Sequence, residues 1–276
     1  ACRPAGLDDH QSIGLHARMV ISTHSSFTDD GFLGSRLQVL QPEKGYRAGI
    51  DAVMLAAAVP ALQGEHVLDV GAGVGVASLC LATRCPDVNV TGLEIQRALV
   101  ETALENIARN NLQARVTVVE GSISEKAAIL ADKDVAYGSF DHVMTNPPFY
   151  ERDKIWDSQN DSKATAHALE GVSLEEWLRV TCAMAKPKGT VTIIHRADAL
   201  PELLAGVEGR LGGLIAFPLW PAAGKEANRV LLRGIKGSRA PFKLANGFLL
   251  HDGPGGFTAE ADAILRNGAA LPLGSA

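Results

Sequence analysis

His66-Val67-Leu68-Asp69-Val70-Gly71-Ala72-Gly73-Val74-Gly75-Val76 decides the fold of this chain. A short apolar strand runs into glycines at every second position. A helix-like run follows, Val76-Ala77-Ser78-Leu79-Cys80-Leu81-Ala82-Thr83. Glycine admits positive φ and lets the backbone approach a ligand closely. The next strand, Val88-Asn89-Val90-Thr91-Gly92-Leu93-Glu94, ends in an acid about 20 residues past the loop, where a carboxylate can accept both hydroxyl protons of a ribose. A glycine loop alone is an ordinary turn. With a strand before it, a helix after it and Glu94 in place, the arrangement points to a nucleotide-type cofactor.

Outward from this unit, strands and helices alternate. Gln96 to Asn110 reads as an amphipathic helix and Val116 to Glu120 as a third strand. Phe140 to Thr145 is a buried strand. Ser173-x-x-Glu176 is a capping box opening a helix to Ala185, and Thr190 to Ile194 is a further strand. Asp198 can cap the next helix, with Pro201 in its first turn. Two late strands near Leu214 to Trp220 and Arg229 to Ile235 suit a reversed hairpin. Upstream, Arg36 to Gln41 alternates like a strand, Gly45-Tyr46-Arg47 is a turn, and Ile50 to Leu62 is helical. The first ~30 residues are polar, histidine-dotted and without sustained period, and read as loose. Such alternation implies a doubly wound α/β fold on a mostly parallel sheet.

The strand from Phe140 stops at Asn146-Pro147-Pro148-Phe149, because two prolines cannot donate to a sheet ladder. The stiff turn offers one side-chain amide, backbone carbonyls and an aromatic face, the parts needed to hold a planar amino group. Two acceptors can draw its hydrogens aside and leave its lone pair facing an electrophile. Taken alone, an Asn-Pro turn is commonplace.

Composition narrows the classes. The 276 residues are 46% apolar with net charge −5, a soluble globular profile that counts against broad nucleic-acid affinity. No apolar run reaches the ~18 residues of a membrane span, and no typical signal peptide is seen. Cys2, Cys80, Cys85 and Cys182 form no C-x-x-C pair. Buried thiols in a reducing cytoplasm, with neither disulfides nor a structural zinc, are the expectation. Lys225, Arg229, Arg233, Lys236, Arg239 and Lys243 face a single acid, Glu226, and form either a local polyanion-binding patch or solvated strand ends.

Asp69-x-Gly71-x-Gly73-x-Gly75, Glu94 and Asn146-Pro147-Pro148-Phe149 together resemble the class I S-adenosylmethionine-dependent methyltransferases, in the branch that methylates planar nitrogens. The resemblance implies a seven-stranded sheet with a reversed terminal hairpin. It places the ribose on Glu94 with Ile95 beside it, and the methionine part on Asp69, Gly71 and Gly73. Asn146 would serve cofactor and substrate alike. Gln41 to Ala52, Thr145 to Tyr150 and Gly234 to Gly237 are similar to bacterial tRNA adenine-N6 methyltransferases of the valine-tRNA type, over roughly residues 36 to 240. On that resemblance Asn146, Pro147 and Phe149 are catalytic, and Tyr46 and Arg47 line the cofactor pocket. Phe149, Tyr150, Arg229 and Lys236 would meet tRNA. Arg47 could instead pair with Asp51. The chain departs from the family at Ser122, where an acid usually stands near the cofactor adenine.

The implied organisation is a flexible segment 1–30, a methyltransferase domain 31–240 and a C-terminal extension 241–276, which can cap the active site or pack elsewhere. The polar stretch from Glu151 to Val172 offers Lys154, Trp156, Lys163 and His167 for recognition. The expected activity is methyl transfer to adenosine N6 in a tRNA anticodon loop, by a cytoplasmic enzyme without metal. The alternatives are a guanine-N2 rRNA enzyme, a protein glutamine methyltransferase, or a non-enzymatic sensor of the cofactor.

Overall fold

The computed structural model describes residues 26–45, 47–148, 172–253 and 256–274. Strands β1 (Phe27–Phe32) and β2 (Leu37–Pro42) form a separate antiparallel pair. β1 thus begins inside the stretch read as loose. Helix α1 (Ile50–Ala58) follows, then β3 (His66–Val70), α2 (Val76–Arg84), β4 (Asn89–Glu94), α3 (Arg97–Arg109) and β5 (Val116–Glu120). Past the short helix α4 (Ala127–Ala131) come β6 (Phe140–Thr145), α5 (Leu174–Met184) and β7 (Ala185–Arg196).

β5, β4, β3, β6 and β7 lie side by side, all parallel. Helices cover both faces, and β3 is accordingly buried from Val67 to Val70, whereas β5 at the sheet edge alternates, with Val116 and Val118 buried and Thr117 exposed. Helix α6 (Leu200–Val207) leads to β8 (Leu211–Ala222) and β9 (Arg229–Lys236), and β9 runs antiparallel to both β7 and β8. These seven strands are the expected sheet with its reversed hairpin. Three more extend it to ten among the described residues. β10 (Lys243–Leu244) and β11 (Phe248–Gly253) pair in parallel with β8, and β12 (Gly256–Phe257) pairs with β11.

Helices α1, α2, α3 and α7 (Ala259–Asn267) pack on one face of the sheet, and α4, α5 and α6 on the other. The C-terminal segment therefore builds onto the β8 edge and against α1, with β9, β7 and β6 between β8 and β3.

Local signals explain the boundaries. Ser173 caps α5 by accepting from the Glu176 N–H at 3.1 Å, and α3 buries Val100, Ala103 and Ile107 along one stripe. Asp198 does not cap α6. Its carboxylate is taken by Arg196, a 3-10 turn intervenes, and Ala199 stands at the cap position. Cys80 and Cys182 are buried thiols, pushed up to about 12 by desolvation.

Candidate active site

The carboxyl ends of β3, β4 and β6 deliver Gly71, Glu94 and Asn146 to one edge of the sheet. The Gly71 and Ala72 amides both donate to the Leu93 carbonyl, at 2.8 and 3.1 Å, which stitches the glycine loop to the end of β4. Glu94 is 6% exposed. One carboxylate oxygen accepts from the Gly73 N–H at 2.9 Å, the other from the Gln96 N–H at 2.8 Å. The Ile95 N–H and the Gln96 side chain also act on this carboxylate. Burial raises the Glu94 pKa, and the backbone donors around it pull the other way.

Gly71 has φ +77°, and a Cβ there would lie 3.0 Å from the Trp177 ring. Both the left-handed backbone and the close approach demand glycine. At Gly73, φ +56°, a Cβ would meet nothing within 4 Å, so the loop is open on that side.

A cleft of about 290 Å³ opens there. Its walls comprise the glycine loop, Glu94, the apolar side chains of Leu93, Ile95 and Ile123, and Asn146, Pro147 and Pro148. Ser122 lines it too. Its hydroxyl oxygen accepts from the Ser124 N–H at 3.1 Å, which leaves the hydroxyl proton to donate. A smaller chamber of about 50 Å³ shares Gly71, Gly73, Leu99 and Asn146 with the cleft and adds Ala48 and Asp69. Asp69 is 2% exposed and accepts from the Ser78 hydroxyl at 2.7 Å. Burial, with Glu94 nearby, raises its pKa to about 7.

This donor set fits S-adenosylmethionine. The Glu94 carboxylate at the cleft wall suits ribose hydroxyls, the apolar slot with Ser122 suits the adenine, and Asp69 suits an ammonium group. When bound, the cofactor supplies the electrophilic methyl group.

Trp177 is the residue that sequence reasoning missed. It lines the cleft, 5% exposed, and its Nε1–H donates to the Thr145 hydroxyl at 3.0 Å. Thr145 in turn donates to the Val70 carbonyl at 2.8 Å. The indole thereby ties the last residue before Asn146 to the last residue before Gly71. Its signal was its place four residues after the capping serine, one turn into the helix beyond the Asn146-Pro147-Pro148 turn.

Tyr46, Phe149 and Tyr150 lie outside the described residues, as do Lys154, Trp156, Lys163 and His167. Arg47 is not among the residues lining the cleft or the chamber. Its guanidinium turns to the hairpin, pairing with Asp30 at 2.5 Å and donating to the Thr28 hydroxyl at 2.7 Å. Asp51 is occupied by Arg229 at 2.7 Å, so the Arg47–Asp51 pairing is not formed.

The basic run does not form one patch. β9 is antiparallel to β7, which sets Arg229 opposite Arg196 at the cleft end and sends Lys236 to the opposite end. There the Lys236 ammonium donates to the Ala183 and Ala185 carbonyls at 2.9 and 2.7 Å. Those bonds cap the end of α5.

A ten-stranded sheet in this order, with this cleft, defines a class I S-adenosylmethionine-dependent methyltransferase. Residues 48–167 match the family described as "Methyltransferase small domain". The tRNA1(Val) (adenine(37)-N6)-methyltransferase of Shewanella putrefaciens is 30% identical over 68% of this chain and 76% of its own length. The enzyme of the same name from Aeromonas hydrophila is 28% identical over 74% of this chain and 83% of its own. A crystal structure from Agrobacterium tumefaciens, described as a predicted O-methyltransferase, superposes with TM-score 0.68 and 28% identity over 80% of this chain and 98% of that one. The chain belongs to this family and is an S-adenosylmethionine-dependent N-methyltransferase. Among the described residues, no helix is long and apolar enough to cross a membrane.

Proposed function

We propose that this enzyme methylates the exocyclic N6 of an adenosine in a tRNA anticodon loop. The observation that carries the reading is that Asn146, Pro147 and Pro148 line the same cleft as Gly71 and Glu94. The Asn146 side-chain oxygen and the Pro147 carbonyl accept the two hydrogens of the amine, and Phe149 stacks on the base. Glu94 holds the ribose of the cofactor, Asp69 its ammonium, and Ser122 donates to its adenine. An unpaired loop base enters such a pocket at low cost, because there is little duplex to break. Arg229, at the cleft end of the sheet, meets backbone phosphate.

The names of the Shewanella and Aeromonas relatives support the tRNA acceptor. The Agrobacterium description suggests oxygen as the acceptor instead. Methylation of a hydroxyl requires a base to take its proton, whereas an amine can lose its proton after transfer. Among the described residues lining the cleft, Glu94 is the one acidic or basic side chain, and backbone amides engage it.

The test is transfer of labelled methyl from S-adenosylmethionine to bulk tRNA, rRNA and protein, followed by nucleoside analysis. N6-methyladenosine in tRNA is expected, and mapping should place it in the anticodon loop. Label confined to protein, or recovered as N2-methylguanosine in rRNA, would refute the acceptor assignment.

A further inference from the structure

Gln41 is a polar side chain only 2% exposed, one residue from the end of β2. Its amide oxygen accepts from the Ala48 N–H at 2.8 Å. Its amide nitrogen donates to the Ala48 carbonyl at 3.2 Å and to Asp30 at 2.8 Å. It pairs with one residue's backbone as a neighbouring strand would, and so closes the turn between Pro42 and Arg47 into a ring. Asp30 also accepts from the Thr28 hydroxyl at 3.1 Å, and Arg47 donates to the Pro42 carbonyl at 3.3 Å. Both residues that leave the turn are thus held by the hairpin.

A second buried amide anchors the hairpin. Asn106 on α3 is 0% exposed. Its nitrogen donates to the Leu40 carbonyl at 3.0 Å and to the Val74 carbonyl at 3.1 Å, and its oxygen accepts from the Leu40 N–H at 2.7 Å. The glycine loop, α3, β2 and Ala48 are therefore linked through two side-chain amides. The link ends where Ala48 forms a wall of the small chamber, with Asp69 and Asn146 among the other walls.

The geometry points to Gln41 as a positioning residue that sets the Ala48 wall of this chamber, with Asn106 fixing the distance to the glycine loop, and so tunes affinity for the amino-acid end of the cofactor. The inference rests on the cofactor and not on the choice of methyl acceptor. Neither amide touches the reacting atoms; each acts through backbone that it holds.

The test compares Gln41→Leu with Asn110→Ala by calorimetric titration with S-adenosylhomocysteine, without RNA. Asn110 grips the Gln38 backbone at the other end of the same hairpin, through bonds of 3.0 and 2.9 Å, and donates to the Asn106 backbone carbonyl at 2.8 Å, but it makes no bond to Ala48, Val74 or the Asn106 side chain. Gln41→Leu should weaken binding by about tenfold, the equivalent of ~1.4 kcal/mol, and speed hydrogen exchange at the Ala48 amide in the cofactor-free protein. The turnover number at saturating cofactor should stay within about threefold of the parent. Asn110→Ala should lower the melting temperature and leave the affinity unchanged. If Gln41→Leu does not fold, Gln41→Glu keeps the acceptor for the Ala48 N–H, loses the donor and sets a second carboxylate against Asp30. It too should weaken binding. Unchanged affinity in the Gln41 variants, or equal losses in Gln41→Leu and Asn110→Ala, overturns the proposal. An error in the RNA acceptor would leave these titrations untouched and appear only in the nucleoside analysis.

Discussion

The two ends of the central sheet treat their carboxylates in opposite ways. At the amino ends of the strands each acid has partners. Asp141 accepts from the Lys186 ammonium at 2.7 Å and from the His66 N–H at 2.9 Å. Burial alone would raise its pKa, yet Lys186 and the His66 amide hold it below the usual carboxylate range. Glu65 meets His142 at 2.8 Å, and the other nitrogen of that ring meets Thr190 at 2.7 Å. At the carboxyl ends, Asp69 and Glu94 sit deeper and receive only neutral donors, and burial drives both upward. Matched charge at one end stabilises the fold. Unmatched charge at the other is a cost that a cationic, hydroxyl-bearing ligand offsets.

The largest expected effect lies where the chemistry is. Asn146→Ala removes the proposed acceptor for the amine and leaves Glu94 and the glycine loop intact. Turnover should fall by ~10²-fold or more while the dissociation constant of S-adenosylhomocysteine changes little. Near-normal single-turnover rates would remove Asn146 from the catalytic role.

Next comes Glu94→Ala, which on the proposed reading deletes two charge-assisted bonds to ribose, each worth ~1.5–3 kcal/mol. Calorimetry should show cofactor affinity weakened at least tenfold, by about 1.4 kcal/mol or more. An unchanged constant would mean that the cleft holds something else.

The third effect is in pH. Asp69 titrates near about 7 in the cofactor-free protein, and a cation beside it favours the carboxylate, so binding releases a proton below that pH. Affinity should climb with pH by up to about tenfold per unit below neutrality and level off above it. Titration in two buffers of different ionisation enthalpy reads the released proton directly, and a flat profile would break the contrast between the two ends. The sign for stability is opposite. Between the ordinary aspartate value and about 7 the folded state holds a proton that the unfolded state does not. This contribution to stability is therefore full in acid and lost as pH rises towards neutrality.

The smallest effect belongs to the matched end. Lys186 is 44% exposed in its side chain, so Lys186→Met should cost ~0.5–1 kcal/mol, a drop in melting temperature of roughly 1–4 °C. Kinetic constants should not move. A kinetic change would mean that the two ends communicate.

Much of the molecule was legible from local chemistry. The glycine loop, Glu94, the Ser173 cap and the Asn146-Pro147-Pro148 turn each follow from a few consecutive residues. Trp177 was not legible, because its role is a contact with Gly71 and Thr145 that exists only once α5 packs on the sheet. The basic run is divided for a geometric reason. Arg229 and Lys236 are near in sequence, but seven residues of extended chain span roughly 23 Å, and one strand carries them to opposite ends. Asp198 failed as a cap because Arg196, two residues away, offers its carboxylate a charged partner.

The asparagines at the end of α3, Asn106 within it and Asn110 at its cap, have a consequence for solubility. A two-stranded ribbon is marginal alone, and each open edge is a template for another chain. Asn106 and Asn110, one helical turn apart, pair with the Leu40 and Gln38 backbones as an adjoining strand would. The β2 edge is thereby closed by helix side chains. The outer strand, β1, carries Asp29 and Asp30, which pair with Arg109 and Arg47. A ribbon sealed on one side and charged on the other can stand apart from the main sheet without recruiting a second molecule.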